Sequence, residues 1–155
     1  MIYTSKAVEI YQKLTENDVL LFSGRYNFEC GADAAIICVA GQYGFFLDID
    51  KIRTVKDENM ALGHEWGHFV TGSTYLVGAN DELKSWCESK AYKAQINTLI
   101  PFDELDRAVL SGITSIFELA EHFDVTEKLV KDAINYYINE KGYSFSKLYS
   151  EEIIM

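Results

Sequence analysis

The sequence predicts an α+β protein, mainly helical with a small β-sheet ahead of its central helix. Two observations carry this. Apolar residues recur at helical spacing over most of the chain after residue 53, and two short β-rich runs flank a Gly-containing turn before it. The 155 residues and 48% apolar content suit one domain, 1–155, large enough to fold without a disulfide or metal.

The elements follow in order. Ala7, Val8, Tyr11 and Leu14 form one face of a first helix. Val19–Phe22 is a short apolar run that suits a strand or a buried connector. Ala34–Ala40 and Tyr43–Ile49 read as a hairpin turning at Gly41-Gln42. The period then changes. Thr54 with Asp57 marks a helix start, Gly72 a stop, and Leu62, Trp66 and Phe69 an apolar stripe between them. Asp81 opens a second long helix, with Leu83, Cys87, Ala91 and Ala94 on one face, and Pro101 ends it. Helices are expected over about 103–110, 115–123 and 126–140, with Ser115-x-x-Glu118 and Thr126 as caps. The tail 142–155 has weak periodicity and is expected to fray.

The net charge of −10 repels phosphate backbones and anionic headgroups, so direct nucleic-acid binding and membrane association are not expected. Cys30, Cys38 and Cys87 are odd in number and widely spaced, which suits reduced thiols in the cytoplasm. No apolar run reaches the ~18 residues of a membrane helix, and the start of the chain lacks an apolar signal core.

His64-Glu65-Trp66-Gly67-His68 carries the chemistry. At about 100° per residue, two histidines four apart lie about 40° apart on one helix face, so both imidazoles reach one metal ion. Glu65 is offset by about 60° from His68, beside the metal, where it suits a base acting on water. The apolar stripe occupies the opposite side. At this chain's composition the pattern would arise by chance in about one such sequence in two hundred. A catalytic zinc site needs a third protein ligand. Glu88, on the next helix beside Cys87 and Ala91, is the favoured candidate, with Asp81, Glu82 and Cys87 as competitors.

The run Ala61–Phe69 resembles the HExxH helix of the ImmA/IrrE metallopeptidases. Glu88, Ala91, Leu99 and Pro101 fall in register with that family's second helix, E-x-E-A-N-x-F-A-x-x-L-L-M-P, and the run Glu118–Thr126 is similar to its next helix pair. Lys90, Tyr92, Ala94 and Gln95 depart from the pattern. Tyr92 replaces an Asn that would orient a ligand. The resemblance implies a zincin-like fold, zinc (Zn2+) held by His64, His68 and Glu88, and Glu65 as catalytic base. It also implies a cytoplasmic metallo-endopeptidase of phage or mobile-element type, cleaving a helix-turn-helix transcriptional repressor. The alternative is a zincin scaffold that binds a regulator without cutting it. Tyr75, Tyr92 and Arg107 are candidate donors to an oxyanion.

Residues 119–134 also mimic a helix-turn-helix. Between Thr114 and Asn139, however, five acids stand against two lysines, with no arginine. A packed helical pair, with His122 a partly buried histidine, is the expectation.

Overall fold

A computed structural model describes residues 5–146. It is α+β and mostly helical. By internal contacts the chain divides into two compact units, Met1–Gln95 and Ile96–Met155.

In the first unit, α1 (Lys6–Glu16) is capped by Ser5, whose hydroxyl accepts from the Val8 amide, and buries Ala7, Ile10 and Leu14. Three strands follow: β1 (Leu20–Gly24), β2 (Ala34–Val39) and β3 (Gln42–Asp48). Their order is β1-β3-β2, with β1 parallel to β3 and β2 antiparallel to it. The hairpin turns at Ala40-Gly41, one residue earlier than expected, and Gln42 pairs with Val39. Both turn residues have positive φ, 50° and 81°, because a two-residue turn matching the strand twist requires this. Asp48 is buried at the end of β3, where its carboxylate accepts from the amides of Asn27 and Asp50 and so ties down the loops beside it.

α2 (Val55–Thr71) begins and ends where the sequence places it. Thr54 and Asp57 form a complete capping box, and Gly72 closes the helix in the left-handed conformation at φ 61°. Leu62 and Trp66 are buried, and Phe69 meets Trp66 and, edge-on, Tyr43 of β3. The stripe thus fastens α2 to the sheet. α3 (Asp81–Leu99) starts after Asn80, whose side chain accepts from the Leu83 amide. Its buried side begins at Cys87 and Ala91. Leu83, expected on that face, is exposed.

In the second unit α4 (Phe102–Leu110), α5 (Ile116–Phe123) and α6 (Glu127–Asn135) follow. Ser115 and Thr126 cap α5 and α6 as predicted. The expected helix over 126–140 changes pitch: Tyr136–Glu140 is a π-helical turn, closed by the Lys141 amide on the Tyr136 carbonyl. α5 and α6 bury Leu119, Phe123, Leu129 and Val130, the packed pair expected. His122 is exposed, not partly buried, and its ring lies edge-on to Phe123. Its place on α5 falls outside the stripe of Leu119, Ala120 and Phe123. Of the tail expected to fray, residues 142–146 are held: the rings of Tyr143 and Phe145 pack tilted against Phe102, and Ser146 bonds Asp106. Residues 147–155 lie outside the described residues.

Among the described residues no helix is long and apolar enough to cross a membrane, and Cys30, Cys38 and Cys87 are free.

Candidate metal centre

The capping box and the left-handed Gly72 fix where α2 begins and ends, and its apolar stripe fixes its rotation. Together they bring His64 and His68 to the side facing α3. The helices can approach there because position 67 is glycine. The three residues that the sequence brings forward as ligands converge. His64 Nε2 lies 3.2 Å from His68 Nε2. Glu88 meets the two imidazoles through different oxygens, with Oε2 3.1 Å from His64 Nε2 and Oε1 3.3 Å from His68 Nε2. Taking one donor atom from each residue, all lie within 4.8 Å of one another. Two ligands about 2.05 Å from a tetrahedral zinc lie about 3.3 Å apart, so the observed spacings are those of ligands around one ion. The donor set of two imidazoles and one carboxylate is also a catalytic zinc set. These residues could hold a metal ion. Asp81, Glu82 and Cys87 do not join the cluster, and Cys87 is instead buried in the packed face of α3.

Each residue of the cluster is held by a further contact. His68 Nδ1 lies 3.0 Å from the Ser73 carbonyl, which makes that nitrogen the N–H and leaves Nε2 as the lone-pair donor. Ser73 is buried just past the Gly72 stop, and its hydroxyl meets Thr71 Oγ1 at 2.6 Å. His64 is held by Gln95, a buried residue one helical turn beyond Ala91. The Gln95 amide donates to the Met60 carbonyl at 2.8 Å, which leaves its oxygen to accept from the imidazole. With His64 Nε2 turned toward His68 and Glu88, Nδ1 is the nitrogen left for Gln95. Burial foremost, then the neighbouring His68, hold His64 below the ordinary imidazole pKa, with Glu88 and Gln95 opposing. A neutral imidazole is the form that binds metal.

Glu88 accepts a 2.7 Å hydrogen bond from the Tyr75 hydroxyl, whose pKa is raised to about 12 chiefly by that bond. The Tyr75 ring sits 6.0 Å from that of His68. Tyr75 therefore borders the cluster. Arg107 pairs with Asp103 within the second unit.

Glu65 is not part of the three-residue cluster. Its Oε2 accepts from the Ile36 amide at 2.9 Å. In the hairpin register Ile36 opposes Phe45 at a position whose N–H points away from β3, toward the open side of the sheet. Glu65 is only 9% exposed, and burial raises its pKa to about 8, against the opposing pull of the Ile36 amide.

Sequence reasoning missed Gln95, Ser73 and the Ile36 amide. Gln95 had a signal, a polar residue at i+4 from Ala91 on the buried side of α3. Ser73 and Ile36 act through backbone groups, which no residue type announces. No family model, curated protein or solved structure matches the chain.

Proposed function

We propose that the protein is a zinc-dependent metallo-endopeptidase of zincin type. The observation that supports this reading best is the separation of roles on one helix. His64 and His68 converge with Glu88 at 3.1–3.3 Å, while Glu65, between them in sequence, is held off the cluster by the Ile36 amide. A site built only to hold a metal has no use for a buried carboxylate beside it.

When bound, zinc supplies Lewis acidity, polarising a peptide carbonyl and acidifying water. The chain's own residues do the rest. His64, His68 and Glu88 would hold the ion, with Gln95 and the Ser73 carbonyl fixing the imidazole tautomers. Glu65 accepts a proton from water as the carbonyl is attacked, then delivers it to the departing amine. A bound cation would favour the carboxylate, the form that accepts the proton. Tyr75, once its hydroxyl leaves Glu88, is a donor for the developing oxyanion.

The resemblance to the ImmA/IrrE metallopeptidases suggests the substrate, a helix-turn-helix repressor of a phage or mobile element. The net charge of −10 suits a basic DNA-binding protein as partner.

The test is to incubate zinc-loaded protein with such a repressor and follow the intact band. Wild type should cut it. Glu65→Gln, which keeps size and hydrogen bonding, should bind zinc normally and cut ~10²–10⁴-fold more slowly. Equal cutting by both would remove Glu65 from the mechanism. Binding without cutting by wild type would make the protein an interaction module.

A further inference from the structure

We infer that β1 is a self-association edge, through which two copies of this chain pair antiparallel into a continuous six-stranded sheet. The inference is independent of the metal centre and rests on the first unit alone.

Among the described residues β1 is an outer strand of the sheet. In its parallel ladder with β3, Leu20 pairs with Gly44 and Gly24 with Asp48, and the Gly24 carbonyl accepts from the Ile49 amide. In such a ladder alternate residues turn their backbone to the partner strand. Leu20, Phe22 and Gly24 therefore face β3, and the N–H and C=O groups of Leu21 and Ser23 point outward.

Proteins usually blunt such an edge with a charge, a proline or a bulge. β1 reads Leu-Leu-Phe-Ser-Gly and has none of these. Its apolar side chains are exposed as well, Leu20 at 51%, Leu21 at 42% and Phe22 at 42%. Phe22 stacks on Phe46, and Tyr26 meets Phe46 edge-on, so the face away from the helices carries an aromatic cluster beside the open edge.

A second copy fits this edge in a specific way. In the antiparallel register that sets Phe22 opposite its own copy, Leu21 faces Ser23 and Ser23 faces Leu21. Their outward groups then form two mutually bonded pairs, four backbone hydrogen bonds in all. The two Phe22 rings meet at the closer, non-bonded position, extending each Phe22–Phe46 stack across the joint. Charge follows the same register. Arg25, which pairs within its own chain with Asp50 at 3.3 Å, ends β1 at one side and Asp18 precedes it at the other. Each Arg25 is thus brought to the end bearing the other copy's Asp18, and would exchange Asp50 for it or be shared between the two. Both residues are exposed.

The experiment is sedimentation equilibrium of the full metal-free chain over a concentration series up to ~1 mM. Wild type should shift from 17.6 kDa toward twice that mass. Ser23→Pro removes an outward amide at an edge position that tolerates proline, and Leu20→Lys places a charge on the exposed apolar face. Each should weaken dimerisation at least ~10-fold, with far-UV circular dichroism unchanged. Val39→Lys, on the other outer strand, should leave it unaltered. A wild type that stays at 17.6 kDa throughout overturns the proposal. So does a dimer that both folded β1 variants leave intact, since the interface would then lie elsewhere.

Discussion

Gly67 of α2 lies directly against the backbone of Ala91 of α3: a Cβ at position 67 would stand 2.2 Å from the Ala91 carbonyl oxygen and 3.0 Å from its carbon. Both atoms are main chain, so no rotamer change relieves the clash. His64 and His68 flank Gly67, and Glu88 lies one turn before Ala91. The contact that sets the distance between the helices also sets the distance between His64, His68 and Glu88.

Gly67→Ala should therefore fail twice. Alanine within a helix ordinarily gains ~0.5–1 kcal/mol over glycine. Overpacking ordinarily costs ~1–3 kcal/mol, and a 2.2 Å approach to backbone lies at its upper end. The net effect is destabilising, by roughly 1–2 kcal/mol or more. Denaturant melts give this number. Zinc titration of the folded fraction should also show weakened affinity, because the helices relieve the clash by moving apart. An unchanged melt and affinity would mean that this contact does not set the spacing.

Glu88 and its neighbour Cys87 separate ligand from packing. Glu88→Gln removes one of three donors and should lower zinc affinity by more than the ~10–100-fold typical of losing a supporting residue, with little change in the metal-free melt. Cys87→Ser puts a hydroxyl into a buried apolar site and should cost ~1–3 kcal/mol of stability with zinc affinity nearly unchanged. The reverse ranking would assign the third ligand to the thiol.

These contrasts show how much the sequence revealed. α2 was legible to the residue because three local signals coincide there: the Thr54–Asp57 box, the Leu62–Trp66–Phe69 stripe and Gly72. The site was legible because a helix converts a spacing of four into a shared face. The hairpin turn was misplaced by one residue because Ala40 adopts a positive φ that composition does not advertise. The contacts behind the ligands were hidden for another reason. They depend on how α2 meets α3 and the sheet, and that packing is tertiary. The break in helical pitch at Tyr136 likewise has no local sequence signal.

Gln95 is the clearest such contact. It touches no metal, so its effect should pass through His64. Gln95→Leu keeps the bulk and removes both hydrogen bonds. Zinc affinity should fall ~10–100-fold, while Gln95→Glu, which restores an acceptor for the imidazole, should recover part of it. A purely structural role predicts equal loss of stability in both variants and no selective recovery of affinity.

Glu65 makes a prediction that needs no substrate. In the metal-free protein its folded-state pKa is about 8 against an ordinary value of 4.5. Between these values the folded chain holds a proton that the unfolded chain has released, so stability falls as pH rises through this window. Above pH 8 the cost is complete and on the order of a few kcal/mol. Below about pH 4.5 it is absent. Glutamine cannot ionise, so metal-free Glu65→Gln should be more stable than wild type at pH 9, with the gap reduced to about 1 kcal/mol or less near pH 5. Zinc should narrow the gap at pH 9, because a nearby cation favours the carboxylate. Urea melts of both proteins at the two pH values, with and without zinc, measure all four terms. If the variant matches wild type at both pH values, the carboxyl does not carry the burial cost that fits it to move a proton near neutrality.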